Sequence, residues 1–272
     1  MKKEQILFWA ISLFITLFSV IFQRITGPTY PISGKFKIDN KTVSFKLARS
    51  HAGFTDHKIS IPAPTANINA RLEWKRYKVN EEWRAIDFVR NDTGDSLIAF
   101  LPKQPPAGKL QYRIIVKSSN EAQIIPEQPI IIRFRGEVPK TILILHVVFI
   151  FMALLFSNRA GLEFFNNINP KFELYSYTTL ICLFLGGLIF GPIMQKYAFG
   201  EYWTGFPFGM DLTDNKTIFA FIFWIIVLFS IKNNAKAKYY VLFASIITFI
   251  IFLIPHSLLG SELVYSKIDS LK

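Results

Sequence analysis

Hydrophobic and polar positions follow two different rules along this chain. From Ile6 to Phe22 no charged residue interrupts the apolar run, and the same holds for Thr141 to Phe156, Leu174 to Met194, Ile218 to Ile231 and Tyr239 to Pro255. A helix needs about 20 such residues to cross a bilayer, so the five runs predict five spans. The second and fourth are somewhat short and are expected to extend into their flanks. Between Pro28 and Pro139 the period changes to two. Phe36 and Ile38 face Val43, Phe45 and Leu47 across Asp39-Asn40-Lys41, which reads as a hairpin. Ile59 and Ile61, then Ala70, Leu72 and Trp74, then Leu97, Ala99 and Leu101 continue the alternation. Leu110, Tyr112, Ile114 and Val116, then Ile130, Ile132 and Phe134 complete it. This spacing predicts about seven or eight short strands and an all-β sandwich.

The expected fold class is a mixed membrane protein. An N-terminal anchor helix occupies 1–23, an extracytoplasmic sandwich 28–139 and a four-helix transmembrane bundle 140–272. The bundle's spans are expected at about 140–157, 174–194, 217–231 and 238–256, with an outer loop over 195–216. Composition agrees: 51% of the 272 residues are hydrophobic and 28 are phenylalanine, more than an ordinary soluble domain carries. Lys2, Lys3, Arg159, Lys171, Lys232, Lys236 and Lys238 fall on one side if the spans alternate, and that side reads as cytoplasmic. The sandwich, the loop and the C-terminus are then outside, and the expected location is a bacterial inner membrane. No small-x-small cleavage site follows the first run, so it reads as an uncleaved anchor. Cys182 is the single cysteine, so no intramolecular disulfide and no thiolate metal cluster can form.

The net charge of +12 concentrates in the β region, where 24–139 holds 19 Lys and Arg against 11 Asp and Glu. That balance reads either as a solvated surface or, in a domain tethered near a bilayer, as attraction to the anionic headgroups of membrane lipids or to a protein partner of acidic character. The basic residues are scattered and form no stripe, which argues against nucleic acid. No phosphate-binding loop, His-Glu-x-x-His or Gly-x-Ser-x-Gly occurs, and no hydrolase is expected.

One segment stands apart. Between the third and fourth runs lies Lys196-Tyr-Ala-Phe-Gly-Glu-Tyr-Trp-Thr-Gly-Phe-Pro-Phe-Gly-Met-Asp211, followed by Asp214. It reads either as an aromatic turn at a membrane boundary, with Asp214 capping the next helix, or as a binding site. His146 sits about 9 Å into the second span and His256 ends the fifth, both toward the side where this loop emerges. Ionisable groups at membrane depth point to function. The candidate metal ligands are therefore His146, His256, Asp211 and Asp214, which suit a divalent ion.

The loop with its flanking histidines resembles the tryptophan-rich outer loop of haem-handling membrane proteins of cytochrome c biogenesis, on Phe199-Gly200, Tyr202-Trp203, Asp211 and the span that follows. That resemblance implies a haem site with His146 and His256 as ligands, Trp203 and Phe206 as shelf and Asp211 as an orienting group. It implies haem handling or electron transfer more than catalysis. The stretch Pro105-Pro-Ala-Gly-Lys-Leu-Gln-Tyr112 resembles a corner of immunoglobulin-like and fibronectin type III domains. It implies a sandwich of that kind, with Tyr112 bonding back to the preceding loop. The alternative function is a non-catalytic scaffold whose sandwich docks a partner.

Overall fold

A computed structural model of the chain describes residues 2–119, 121–168, 170–231, 236–255, 260 and 262–266. They divide into two compact units, Met1–Pro28 with Val138–Ser261 and Thr29–Glu137 with Glu262–Lys272.

The first unit is helical: α1 (Lys2–Thr26), α2 (Lys140–Leu162), α3 (Phe172–Leu183), α4 (Gly191–Phe199), α5 (Leu212–Ile231) and α6 (Ala237–Leu253). Lys3–Thr26, Lys140–Phe165, Phe172–Phe199 and Leu212–Ile231 are long and apolar enough to cross a membrane. α6 is apolar but shorter, at 17 residues. The predicted runs are all helical, but their ends differ. The third span continues through a π-helical segment, Phe184–Phe190, into α4. It stops only where Gly200 takes φ 90°, a left-handed position that glycine occupies without strain. Lys196 and Tyr197 are thus helical, and the predicted loop shrinks to 200–211.

α1 is no isolated anchor. Ser12, Thr16 and Ser19 form a buried stripe of small polar residues along one face, spaced so that a neighbouring helix can approach closely. Asn158 of α2 donates to Thr16 Oγ1 at 3.1 Å, and Trp9 meets Phe156 and Tyr175 edge-on, both at 5.7 Å between centroids. Near the other end, Gln23 Nε2 donates to the carbonyls of Phe252 and Ile254, each at 3.0 Å. Trp224 of α5 is fully buried, and its indole N–H donates to Thr248 Oγ1 at 2.9 Å.

The last turn of α2 holds a buried ion pair. Arg159 and Glu163 have fully buried side chains, with Nη1 and Oε1 2.5 Å apart. The guanidinium lies over the rings of Tyr175, Phe8 and Trp9 at 4.7, 5.4 and 5.5 Å, and it also donates to Gln5 Oε1. Glu163 Oε2 accepts from Asn166 Nδ2 and from the Lys171 amide, both at 2.8 Å. Arg159, read from sequence as a charge flanking the second span, is an interior residue.

The second unit has three sheets. β1 (Ile32–Ile38) pairs with β2 (Lys41–Leu47) through a two-residue turn in which Asp39 and Asn40 have φ of 48° and 60°, as a tight hairpin requires. A five-stranded sheet runs β3-β10-β9-β5-β6, with β3 (Ser50–Ala52), β5 (Asn69–Arg76), β6 (Arg84–Asp87), β9 (Lys109–Lys117) and β10 (Ala122–Arg135). The third sheet runs β4-β8-β7, with β4 (His57–Pro62), β7 (Val89–Arg90) and β8 (Ser96–Leu101). All three feed one core, and its centre holds the alternating residues expected from the sequence: Leu72, Leu97, Leu110, Tyr112, Ile114, Ile132 and Phe134. β3, β6 and β7 are too short to show a period, which is why the spacing pointed to fewer strands.

Tyr112 departs from its expected role. Its hydroxyl donates at 2.8 Å to the carbonyl of Ala48, just after β2, and not to the loop before β9. The ring is an inward position of β9, so the hydroxyl finds its partner at the far rim of the core. Burial, partly offset by the charge of Arg49, pushes the phenol up from its usual range.

The C-terminal segment also departs from expectation, because from Glu262 onward it belongs to the β unit and not to the helical domain. The Leu263 amide donates to Ala107 O at 3.2 Å, and Tyr265 Oη donates to Gln104 Oε1 at 3.0 Å with Lys109 O at 3.1 Å. Glu262 accepts from Lys78 at 2.8 Å and Lys109 at 2.6 Å. Burial pushes this carboxyl up, but the hydrogen bonds and charges of Lys109 and Lys78 outweigh it and hold Glu262 below its ordinary 4.5. Burial lowers Lys109, whereas the same carboxylate raises the exposed Lys78. A carboxyl lowered on folding contributes stability above its unfolded value and loses it as pH falls through the folded one. Hydrogen exchange at 263–265 is therefore expected to accelerate below about pH 4.5 relative to the core strands, and Glu262→Gln to remove that dependence. Protection at 263–265 relative to the core strands that is the same at about pH 6 and about pH 3 would show that the tail is not held by this contact.

Candidate functional site

The 200–211 loop is built around two carboxylates. Asp211 stands just before α5, and its Oδ1 accepts from the Thr213 amide at 2.8 Å, an N-cap that satisfies a free amide of the first turn. Asp214, in the first turn of the helix, points back into the loop. Its Oδ2 accepts from the amides of Thr204 at 2.7 Å and Gly205 at 3.0 Å and from Gln195 Nε2 at 3.1 Å. Thr204 Oγ1 accepts from Gln195 Nε2 at 2.6 Å and lies 3.2 Å from both Asp211 Oδ2 and Asp214 Oδ2. Its single proton serves one carboxylate at a time. Asn215 Oδ1 takes the Phe206 amide at 2.6 Å, and Lys216 Nζ donates to the Ile254 carbonyl at 2.9 Å, tying α5 to the end of α6.

These bonds need close approach. A Cβ on Gly205 would stand 2.6 Å from the Asp214 Cβ, which fixes glycine there. Trp203 donates through its indole N–H to the Phe206 carbonyl at 3.0 Å, while the Phe206 ring is 69% exposed. The two residues expected to form one shelf thus meet through a main-chain oxygen. Phe208 and Met210, each 83% exposed, project further still.

His146 lies on α2, and its Nδ1 is 2.8 Å from the Gly186 carbonyl. Gly186 falls in the π-helical segment, where its carbonyl also accepts the Gly191 amide five residues on. A Cβ at Gly186 would stand 2.9 Å from the Ile150 amide nitrogen, and one at Gly191 3.7 Å from the His146 ring. Gly186 therefore admits α2, while Gly187 lies against Thr217 of α5. His256 lies outside the described residues, so the expected pairing with His146 is not part of the described geometry. Asp211 and Asp214 sit together through Thr204 and direct their oxygens into the loop. Among the described residues, no three His, Cys, Asp or Glu side chains gather as a metal-binding group.

The sequence reading passed over Gln195, Thr204, Asn215 and Lys216, which complete the loop. The recurrence of Thr, Asn and Gln beside the two aspartates was the available signal. It also passed over His51 and His57. Their Nδ1 atoms are 3.2 Å apart. Burial, then the charge of His51, lowers His57 to about 4.

No protein-family model and no curated protein matches the chain.

Proposed function

We propose that the protein is a non-catalytic scaffold of a bacterial inner membrane. The helical unit anchors an immunoglobulin-like sandwich on the extracytoplasmic side, against anionic lipid headgroups, and the sandwich docks a protein partner with an acidic surface. The observation that carries this reading is the basic, tryptophan-braced face of the five-stranded sheet. Arg71, Glu73 and Lys75 alternate outward along β5; Arg71 pairs with Asp87 of β6 at 2.8 Å and Glu73 with Arg113 of β9 at 2.7 Å, which leaves Lys75 as the cation of this row without a carboxylate beside it among these residues. Arg113 and Lys75 stand over the Trp83 ring at 4.7 and 5.1 Å. A ring that holds long basic side chains in place reduces the freedom they lose when an acidic surface binds. The excess of Lys and Arg in 24–139 adds long-range attraction. The orientation rests on the basic residues that flank the spans.

A photo-crosslinker at Trp83 of the full-length chain tests this in the membrane. A discrete protein adduct, weakened by salt and lost in Lys75→Glu with Arg113→Glu, is the expected result. An adduct indifferent to both, or none beyond that seen with the crosslinker at Phe208, would overturn the reading.

A second reading, haem or a divalent metal at His146, has one observation in its favour. A carbonyl only accepts, so Nδ1 donates to Gly186 and the lone pair lies on Nε2, the arrangement of a metal-ligating histidine. Trp203, Phe206 and Asp211 would then line the approach, with His256 as second ligand. An absorption spectrum of oxidised and dithionite-reduced protein, with a metal assay, decides it. A Soret band lost in His146→Ala and in His256→Ala supports haem; a colourless, metal-free sample after reconstitution ends the reading.

A further inference from the structure

His51 and His57 come from different sheets. β3 pairs with β10, setting His51 opposite Phe134, and β4 pairs with β8, setting His57 opposite Leu101. The four residues between β3 and β4 make the connection. Gly53 takes φ 99° and donates its amide to Arg135 O at 3.0 Å, and Asp56 Oδ1 accepts the Lys103 amide at 2.9 Å, so both ends of the turn are fixed. The His51 ring also packs edge-on against Phe134 at 5.6 Å.

This frame orients the two rings toward each other. His51 Nε2 is 2.9 Å from the Thr55 carbonyl, and because a carbonyl only accepts, Nε2 carries the proton and Nδ1 the lone pair. That lone pair faces His57 Nδ1 at 3.2 Å. Two nitrogens each about 2.0–2.1 Å from one ion at a near-tetrahedral angle stand about 3.3 Å apart, so the observed separation already equals the bite of a bidentate site. The bond from Nε2–H to a main-chain carbonyl is the support that metal-ligating histidines use to hold ring and tautomer. Both rings are partly open to solvent, which leaves positions for water or a further ligand.

We propose that His51 and His57 form a two-nitrogen site for a borderline divalent transition metal ion, Cu²⁺ or Zn²⁺, bound through both Nδ1 atoms. Nitrogen donors without carboxylates select such ions over Mg²⁺ and Ca²⁺, and Cu²⁺ binds the tighter of the two. When the ion enters, the proton that His57 shares with His51 moves to His57 Nε2, so both imidazoles remain neutral and no net proton is released. The site is independent of the scaffold reading and of His146.

The test uses full-length protein in detergent, purified on a tag without histidine and stripped with a chelator. Titration with Cu²⁺ and with Zn²⁺ is expected to show one ion per chain, with Cu²⁺ giving an electron paramagnetic resonance spectrum split by two nitrogens. His51→Gln and His57→Gln are each expected to weaken binding at least about tenfold. Binding that survives both glutamine variants, or that follows His146, overturns the site. If a variant fails to fold, the wild-type chain still decides: Zn²⁺ must protect His51 and His57 from diethylpyrocarbonate, and full modification at saturating Zn²⁺ refutes the proposal.

Discussion

Glu163→Ala is expected to destabilise the helical unit by about 3–5 kcal/mol, because it leaves the Arg159 guanidinium buried without its counter-charge. Two charges withdrawn from water attract strongly but lose their hydration, so a buried pair is often no better than a packed apolar pair. Removing one member exposes the full desolvation cost of the other. The rings of Tyr175, Phe8 and Trp9 around the guanidinium offset only part of that cost. Arg159→Leu with Glu163→Leu is therefore expected to recover much of the loss, short of wild type because Asn166 Nδ2 and the Lys171 amide lose their acceptor. Thermal unfolding of detergent-purified variants, arranged as a double-mutant cycle, measures the coupling. Additive effects of the two single changes would mean that the pair acts as two independent packing groups.

The same cluster marks a boundary of what the sequence discloses. The apolar helices were legible because the apolar sum along a run is local information. The long strands were legible because Leu72, Leu110, Ile114 and Ile132 alternate with residues that face outward. Arg159 at a span end looked like any flanking charge, and only the return of α1 and α3 around it makes it interior. Ser12, Thr16 and Ser19 did carry a helix period, but inside a run already explained as a span they drew no further reading. The tail from Glu262 shows the opposite limit: five described residues without a period are placed by contacts with Ala107, Lys109 and Gln104, more than 150 positions away.

At the candidate site the residues were legible and their roles were not. Asp211 and Asp214 were singled out as candidate ligands, and capping by an aspartate was among the roles considered. Which residue caps depends on where α5 begins, and it begins at Leu212, one residue after Asp211. Asp214 then falls inside the first turn, facing amides that only the folded loop presents. His51 and His57 illustrate the same point: a spacing of six residues carries no ligand code, and the turn at Gly53 brings their rings to 4.9 Å between centroids.

Asp214→Ala is expected to cost about 2–4 kcal/mol and to loosen 200–211 as a unit, because one oxygen atom serves three separate donor groups and lies beside a fourth. Hydrogen bonds to a charged acceptor are the stronger class, and Asp214 is only 7% exposed, so water cannot readily replace the lost oxygen for the Thr204 and Gly205 amides. Asp211→Ala removes a helix cap and is expected to cost about 1 kcal/mol, with the loop retained. Asp214→Asn keeps a carbonyl oxygen for the two amides but loses the charge, and should fall between the two. Hydrogen exchange across 200–211, read beside exchange in α5, separates these outcomes. Slow exchange persisting in Asp214→Ala would show that the loop is held by its turns and aromatic rings, independently of this carboxylate.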